Sequence, residues 1–132
     1  MKKGFTLIEI MVVIGMIAIM SGIILVVLND SRKRADDANI KSTLANVRNQ
    51  GALFAASTNT FAGVCDSDPF LLVKAGIEKY NGGESVTCKS DANNWIMYSP
   101  LKLDSTTFWC VDNEGASKKL IEAPEDGVLV CP

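Results

Sequence analysis

The chain has 132 residues and no histidine. That removes His-based catalytic triads, His-ligated zinc and imidazole general bases together. Proline is absent before Pro69, so over residues 5–61 no ring blocks a helical hydrogen bond. Cysteine is absent before Cys65, and the four present (Cys65, Cys88, Cys110, Cys131) never stand in C-x-x-C spacing. Charge is absent from Ile10 to Leu28. An excess of positive charge is also lacking: residues 62–132 hold six Lys/Arg against eleven Asp/Glu, a balance of −5. The water-soluble part is acidic and lacks the basic footprint of a nucleic-acid-binding domain.

What the first quarter does contain is a long apolar run. Phe5 to Leu28 is 24 residues with one charge, Glu9. As a helix it is about 36 Å long, enough for about 30 Å of hydrocarbon. A cleaved secretory signal has an apolar core of about 7–15 residues, whereas here the run passes Ser21-Gly22 and continues from Ile23 to Leu28. A plain membrane anchor explains the length but not Glu9. Asp, Lys or Arg at a bilayer centre costs roughly 2.5–3.5 kcal/mol, and Glu has no obvious exemption. Cations flank the run on both sides, Lys2-Lys3 before it and Arg32-Lys33-Arg34 after it, so the positive-inside rule does not set its direction. The cysteines do. An even number in a small domain behind a targeting segment reads as two disulfides outside the cytoplasm, which places the C-terminal domain outward and the N-terminus inside.

The order Lys3-Gly4-Phe5-Thr6-Leu7-Ile8-Glu9, followed by about 20 apolar residues, resembles the class III signal of type IV pilins and type II secretion pseudopilins. The resemblance covers the motif residue by residue. It implies a leader, residues 1–4, cut by a prepilin peptidase between Gly4 and Phe5, then N-methylation of Phe5, with Glu9 as the fifth residue after the cut. It further implies a structural subunit rather than an enzyme, with no cofactor or metal. The implied partners are copies of itself, the peptidase/methylase, the membrane before assembly, and an inner-membrane assembly platform with its ATPase. The implied product is a pilus-like surface filament, or alternatively a secretion pseudopilus. A DNA-uptake pilin is disfavoured by the acidic domain. A singly anchored extracellular binding domain is the reading from a different class. Cutting after Gly4 creates an amine on Phe5, four residues from Glu9, and positions i and i+4 share a helix face. The amine of a neighbour or of the same chain could then neutralise Glu9, so the charge is expected to be tolerated only after processing, with Glu9 setting axial register in the filament.

Beyond Leu28 the helical pattern persists. Ile40, Leu44, Val47, Gly51 and Phe54 form one apolar stripe, with Lys41, Ser42, Asn46, Arg48, Asn49 and Gln50 occupying much of the rest of the surface. This is an amphipathic helix. The spacing predicts one helix from about residue 5 to about 60, roughly 80 Å long: a membrane or filament-core half over 5–28 and an amphipathic half over 29–60. Gly15 and Ser21-Gly22 serve close helix packing or local unwinding, and the first reading is preferred. Residues 61–132 form the small globular part. Ser67 or Asp68 is expected to cap a helix with Pro69 at its first position, running over 70–80 and ended by Asn81-Gly82-Gly83. Strands are expected over 94–99, 106–111 and 118–121, with a hairpin turn at 112–115 and a short last strand over 127–130. The fold class is α+β: a long N-terminal helix packed by a small antiparallel sheet, the lollipop that pilins resemble.

Four cysteines allow three pairings. Neighbour order, Cys65–Cys88 and Cys110–Cys131, is expected, because the second bond would tie the C-terminus and the acidic loop 122–126 to the sheet. Asp112, Asn113 and Glu114 offer oxygens to a cation but lack EF-hand spacing, and a hairpin turn is the better reading. Trp95, Tyr98 and Trp109 could form a sugar platform, but in so small a sheet they are expected to fill the core. Arg32-Lys33-Arg34 with Asp36-Asp37 either pairs between subunits, meets anionic headgroups, or is a solvated face.

Overall fold

A computed structural model describes residues 4–132. The elements in chain order are helix α1 (Leu7–Thr58), a single 3-10 turn (Val64–Asp66), helix α2 (Asp68–Tyr80), and strands β1 (Thr87–Ser90), β2 (Trp95–Pro100), β3 (Phe108–Asp112) and β4 (Ser117–Leu120). The architecture is α+β and pilin-like: a long N-terminal helix and a four-stranded antiparallel sheet in the order β1-β2-β3-β4. The chain divides into two compact units, residues 1–32 and 33–132.

In the first unit every described residue is exposed. The helix passes through Gly15, Ser21 and Gly22 without a break, so the alternative of unwinding there is not realised. The Ser21 hydroxyl is satisfied by donating to the Ile17 carbonyl at 2.7 Å, the back-bond a hydroxyl makes when it must sit in a helix without water.

The second unit is built on the amphipathic stretch of α1. Ile40, Leu44, Val47 and Gly51 are buried, and Phe54 packs at their edge. They meet Trp95, Met97 and Val111 from the sheet and Phe70 and Ile77 from α2. The opposite sheet face carries Ile96, Tyr98, Cys110 and Leu120, covered by Leu129 and Cys131 of the C-terminal tail. Successive strand residues point to opposite faces, and both faces are covered, which is why all six residues of β2 are buried. At Gly51 the helix approaches the sheet closely: a Cβ there would lie 2.9 Å from the Trp95 indole nitrogen. Asp37 ties the helix to the chain that follows β2. Its carboxylate accepts from the Lys102 amide at 2.6 Å and the Leu103 amide at 3.4 Å, while Asp36 pairs with the Lys102 ammonium at 2.8 Å. These two acids therefore engage their own chain.

Several boundaries differ from expectation. Ser67 is the N-cap of α2, and Asp68 precedes Pro69 inside the helix, so Pro69 is second rather than first. Helix α1 ends on Asn59, which takes the left-handed conformation at φ 60°, one of the few side chains to do so readily. Strand β1 was not expected: four half-buried residues of mixed polarity have no period of their own, and pairing with β2 extends them. The expected strand over 127–130 does not form. Gly127 has φ 88°, and the segment crosses the sheet face as irregular chain, with Leu129 inserted in the outer core.

Gly51→Val is expected to destabilise the second unit by about 1–3 kcal/mol through overpacking against Trp95, despite the better helix propensity of valine. Gly76→Ala, where a Cβ meets nothing within 4 Å, is expected to stabilise by roughly 0.5–1 kcal/mol. Urea unfolding in detergent, followed by tryptophan fluorescence, measures both; equal midpoints for the two variants would refute the close approach.

Candidate processing and assembly site

Residues 4–6 lie outside any helix or strand, and the Gly4–Phe5 peptide is exposed, with Phe5 84% accessible. No atom stands within 4 Å of where a Gly4 Cβ would be. Met1, Lys2 and Lys3, the rest of the expected leader, lie outside the described residues. Thr6 begins the helix: its carbonyl accepts from the Ile10 amide at 3.4 Å. As N-cap it is joined to Glu9, three residues on. The Thr6 amide and hydroxyl both donate to Glu9 Oε2 at 2.8 Å, and the Glu9 amide donates weakly to Thr6 Oγ1 at 3.4 Å. This reciprocal pairing is a capping box, and it also sets a carboxylate at the positive end of the helix dipole.

The capping box adds a neutral partner to the expected charged one: Thr6 supplies Glu9 with two donors. The spacing T-x-x-E, Thr6 to Glu9, is the sequence signal for it. Both donors go to Oε2, and among the described residues none goes to Oε1. Around Glu9 stand Phe5, Ile8, Val12, Val13 and Met16, which line a shallow apolar groove with it. The helix is long and apolar enough to cross a membrane, and its most apolar window is unburied among the described residues.

Residues 1–25 match the family model described as the prokaryotic N-terminal methylation motif. The chain carries the class III signal of type IV pilins and pseudopilins. No curated protein matches the chain, and no solved structure does. The prepilin-type signal and the apolar helix together point to membrane anchoring before assembly and to processing by a prepilin peptidase.

The remaining candidates lie in the second unit. Cys65 is bonded to Cys88, joining the 3-10 turn to β1, and Cys110 to Cys131, joining β3 to the C-terminal tail. Asp112 is 1% exposed and serves the turn and the tail. One oxygen accepts from the Gly115 and Ala116 amides at 3.0 and 2.8 Å; the other accepts from the Cys131 amide at 2.8 Å. Asn113 accepts from the Trp95 amide at 3.0 Å, while Glu114 is exposed. Two of the three residues weighed for a cation are thus committed to backbone amides, and no group of acidic or cysteine side chains among the described residues could hold a metal. Trp95 and Tyr98 are buried; Trp109 is half-buried beneath the Lys41 ammonium, 5.0 Å from its ring. The tail is tethered once more by Lys89 and Asp126 at 2.6 Å. That hydrogen bond lowers the Asp126 pKa and raises that of Lys89.

Two outcomes are expected. Asp112→Ala strands three amides and is expected to cost about 3 kcal/mol in urea unfolding, in line with hydrogen bonds to a charged group, whereas Glu114→Ala leaves the midpoint unchanged. For the Lys89–Asp126 tether, a lowered carboxylate pKa gives stabilisation that is present above the unfolded value and lost as pH falls through the folded one. The raised Lys89 pKa gives stabilisation lost only as pH rises through its folded value. Hydrogen exchange of residues 121–130 should therefore speed up beyond the intrinsic chemical rate as pH falls below about 4. Between there and about pH 10 the protection should stay flat, and in Asp126→Asn the acid-dependent change should vanish.

Proposed function

We propose that the chain is the structural subunit of a type IV pilus-like surface filament, made as a membrane precursor with its C-terminal unit outside the cytoplasm. The prepilin peptidase cuts between Gly4 and Phe5, Phe5 is methylated, and an ATP-driven platform in the inner membrane moves the subunit into the filament. The observation that supports this most directly is the prepilin-type signal running into a helix whose apolar residues are all exposed over 5–28. Removing side chains of this kind from water is worth roughly 1.5–3 kcal/mol each, so lipid first and neighbouring subunits later supply what the chain does not.

Glu9 gives that contact a register. Thr6 occupies one carboxylate oxygen, and Oε1 is left for the amine that a cut at Gly4 would create on Phe5. The amine of a neighbouring copy brings a full opposite charge into an apolar contact, where an ion pair placed out of register leaves both charges unpaired. A sliding error along the helix then costs more than any loss of apolar area alone.

The intact mass of the mature protein should correspond to loss of residues 1–4, gain of one methyl and two disulfides. Glu9→Ala should give cleaved, membrane-bound protein with few or no filaments in the sheared surface fraction by electron microscopy. Normal filament yield from Glu9→Ala would refute the register role, and retention of Met1 in the wild type would refute the cut. Complete processing without any long labelled fibre would instead assign the chain to a secretion pseudopilus.

A further inference from the structure

Shortly after the apolar run come Arg32-Lys33-Arg34, and then Asp36 and Asp37. By spacing alone the acids would neutralise the cations, because Arg32 and Asp36, like Lys33 and Asp37, stand four residues apart on one helix face. The fold prevents this. Asp36 pairs with the Lys102 ammonium, and the two Asp37 oxygens accept from the Lys102 and Leu103 amides. Neither ion pair among the described residues includes Arg32, Lys33 or Arg34. Arg32 and Arg34 are exposed and Lys33 is half-buried. The acid left beside them is Asp30, also exposed, and an exposed pair of that kind contributes little. Residues 29–34 therefore carry +2, Asp30 against the three cations.

The distance from the apolar run gives this charge a setting. Helix α1 continues past Leu28 without a break, and Arg32 and Arg34 follow Leu28 by about 6 and 9 Å of helix. The headgroup layer on each side of a bilayer is about 5–8 Å deep, and long basic side chains reach along the helix to place their charge in it. With residues 5–28 in hydrocarbon, these three cations stand at the level of the lipid phosphates. On the outward flank they oppose the usual bias of Lys and Arg toward the cytoplasm, so they do not serve to orient the chain. We propose that Arg32, Lys33 and Arg34 bind the phosphates of anionic phospholipids in the outer leaflet. The guanidinium fork matches two phosphate oxygens at once, and the lysine adds a point charge. A lipid without net charge would leave the +2 uncompensated. The inference rests on the membrane-precursor reading above and adds to it a class of lipid, held by the subunit while it waits for assembly.

The full chain in nanodiscs tests this, with spin-labelled phosphatidylglycerol or phosphatidylcholine as the probe lipid. Every chain carries Lys2→Gln and Lys3→Gln, so that Arg32-Lys33-Arg34 is the one basic flank of the apolar run. Motionally restricted lipid should favour phosphatidylglycerol about fivefold or more, the worth of one cation near an anionic surface. The preference should fall away at about 1 M salt, where screening acts within about 3 Å. Arg32→Gln/Lys33→Gln/Arg34→Gln should abolish it, while Lys118→Gln/Lys119→Gln, on exposed residues of β4, should retain it. An equal preference in the Arg32/Lys33/Arg34 variant and its parent would overturn the proposal. Loss of sheared filaments from that variant, with the lipid preference unaltered, would also overturn it and assign the cations to a contact between copies. Restricted lipid without any preference sinks this proposal alone; no restricted lipid at all sinks the membrane reading with it.

Discussion

From Phe5 to Leu28, eighteen large apolar side chains are exposed, and removing them from water is the constraint to which the rest answers. At roughly 1.5–3 kcal/mol each the total runs to tens of kcal/mol. A single carboxylate, costing roughly 2.5–3.5 kcal/mol on the scale used for other charges, does not change the sign of that sum. The segment must be covered by lipid or by protein, and burial alone does not say at what height along the helix a neighbour should sit. The apolar side chains are interchangeable in this respect. On the reading proposed above, Glu9, the one charged group in the segment, distinguishes positions along the axis, because its preferred surroundings are directional.

The amphipathic half of α1 meets the opposite condition. There the apolar residues shrink to one stripe, and the charges are spent on fixing the sheet and its loops. Asp37 reaches the β2–β3 loop, Arg48 the β3–β4 turn, and Lys41 the face of Trp109. About a hundred residues bury too little surface for a wide margin of stability. The two disulfides compensate, each closing a loop of about 20 residues, worth about 3 kcal/mol in the chain-entropy picture. Their placement follows the weak points of the fold. One holds β1, an edge strand paired on one side only, and the other holds the irregular tail, which Asp112 grips through the Cys131 amide beside the bond.

Much of this was legible in the residues. The long helix follows from apolar content and the absence of proline, its stripe from the spacing Ile40, Leu44, Val47, Gly51, and the hairpin from Asp112-Asn113-Glu114-Gly115. What was not legible depends on contacts distant in sequence. Asp37 looks like a surface acid until the fold brings Lys102 and Leu103 to it. Strand β1 has no pattern of its own and exists because β2 offers an edge. Val128-Leu129-Val130 has the composition of a strand, but Gly127 at positive φ and the Cys110–Cys131 bond send it across the sheet instead of along its margin. Thr6 is the opposite case: its partner is three residues away, and the capping spacing Thr6-x-x-Glu9 stands in the sequence itself.

Thr6 changes the physical meaning of cleavage on the reading proposed here. Without it, the precursor would hold an unsatisfied carboxylate in an apolar setting for as long as it stayed in the membrane. With it, the hydrogen-bonding requirement of one oxygen is met before any cut, and what remains is net charge. A cut at Gly4 removes Lys2 and Lys3 with the leader, adds a cation one residue from Thr6, and brings residues 5–9 themselves from −1 to neutral. In water this difference is small. In an environment that excludes water, the Coulomb interaction rises many-fold, so the uncut and cut chains differ most at the moment of packing against a neighbour. Discrimination between them then requires no receptor surface, because the contact itself is least favourable for the chain whose charge is still uncompensated.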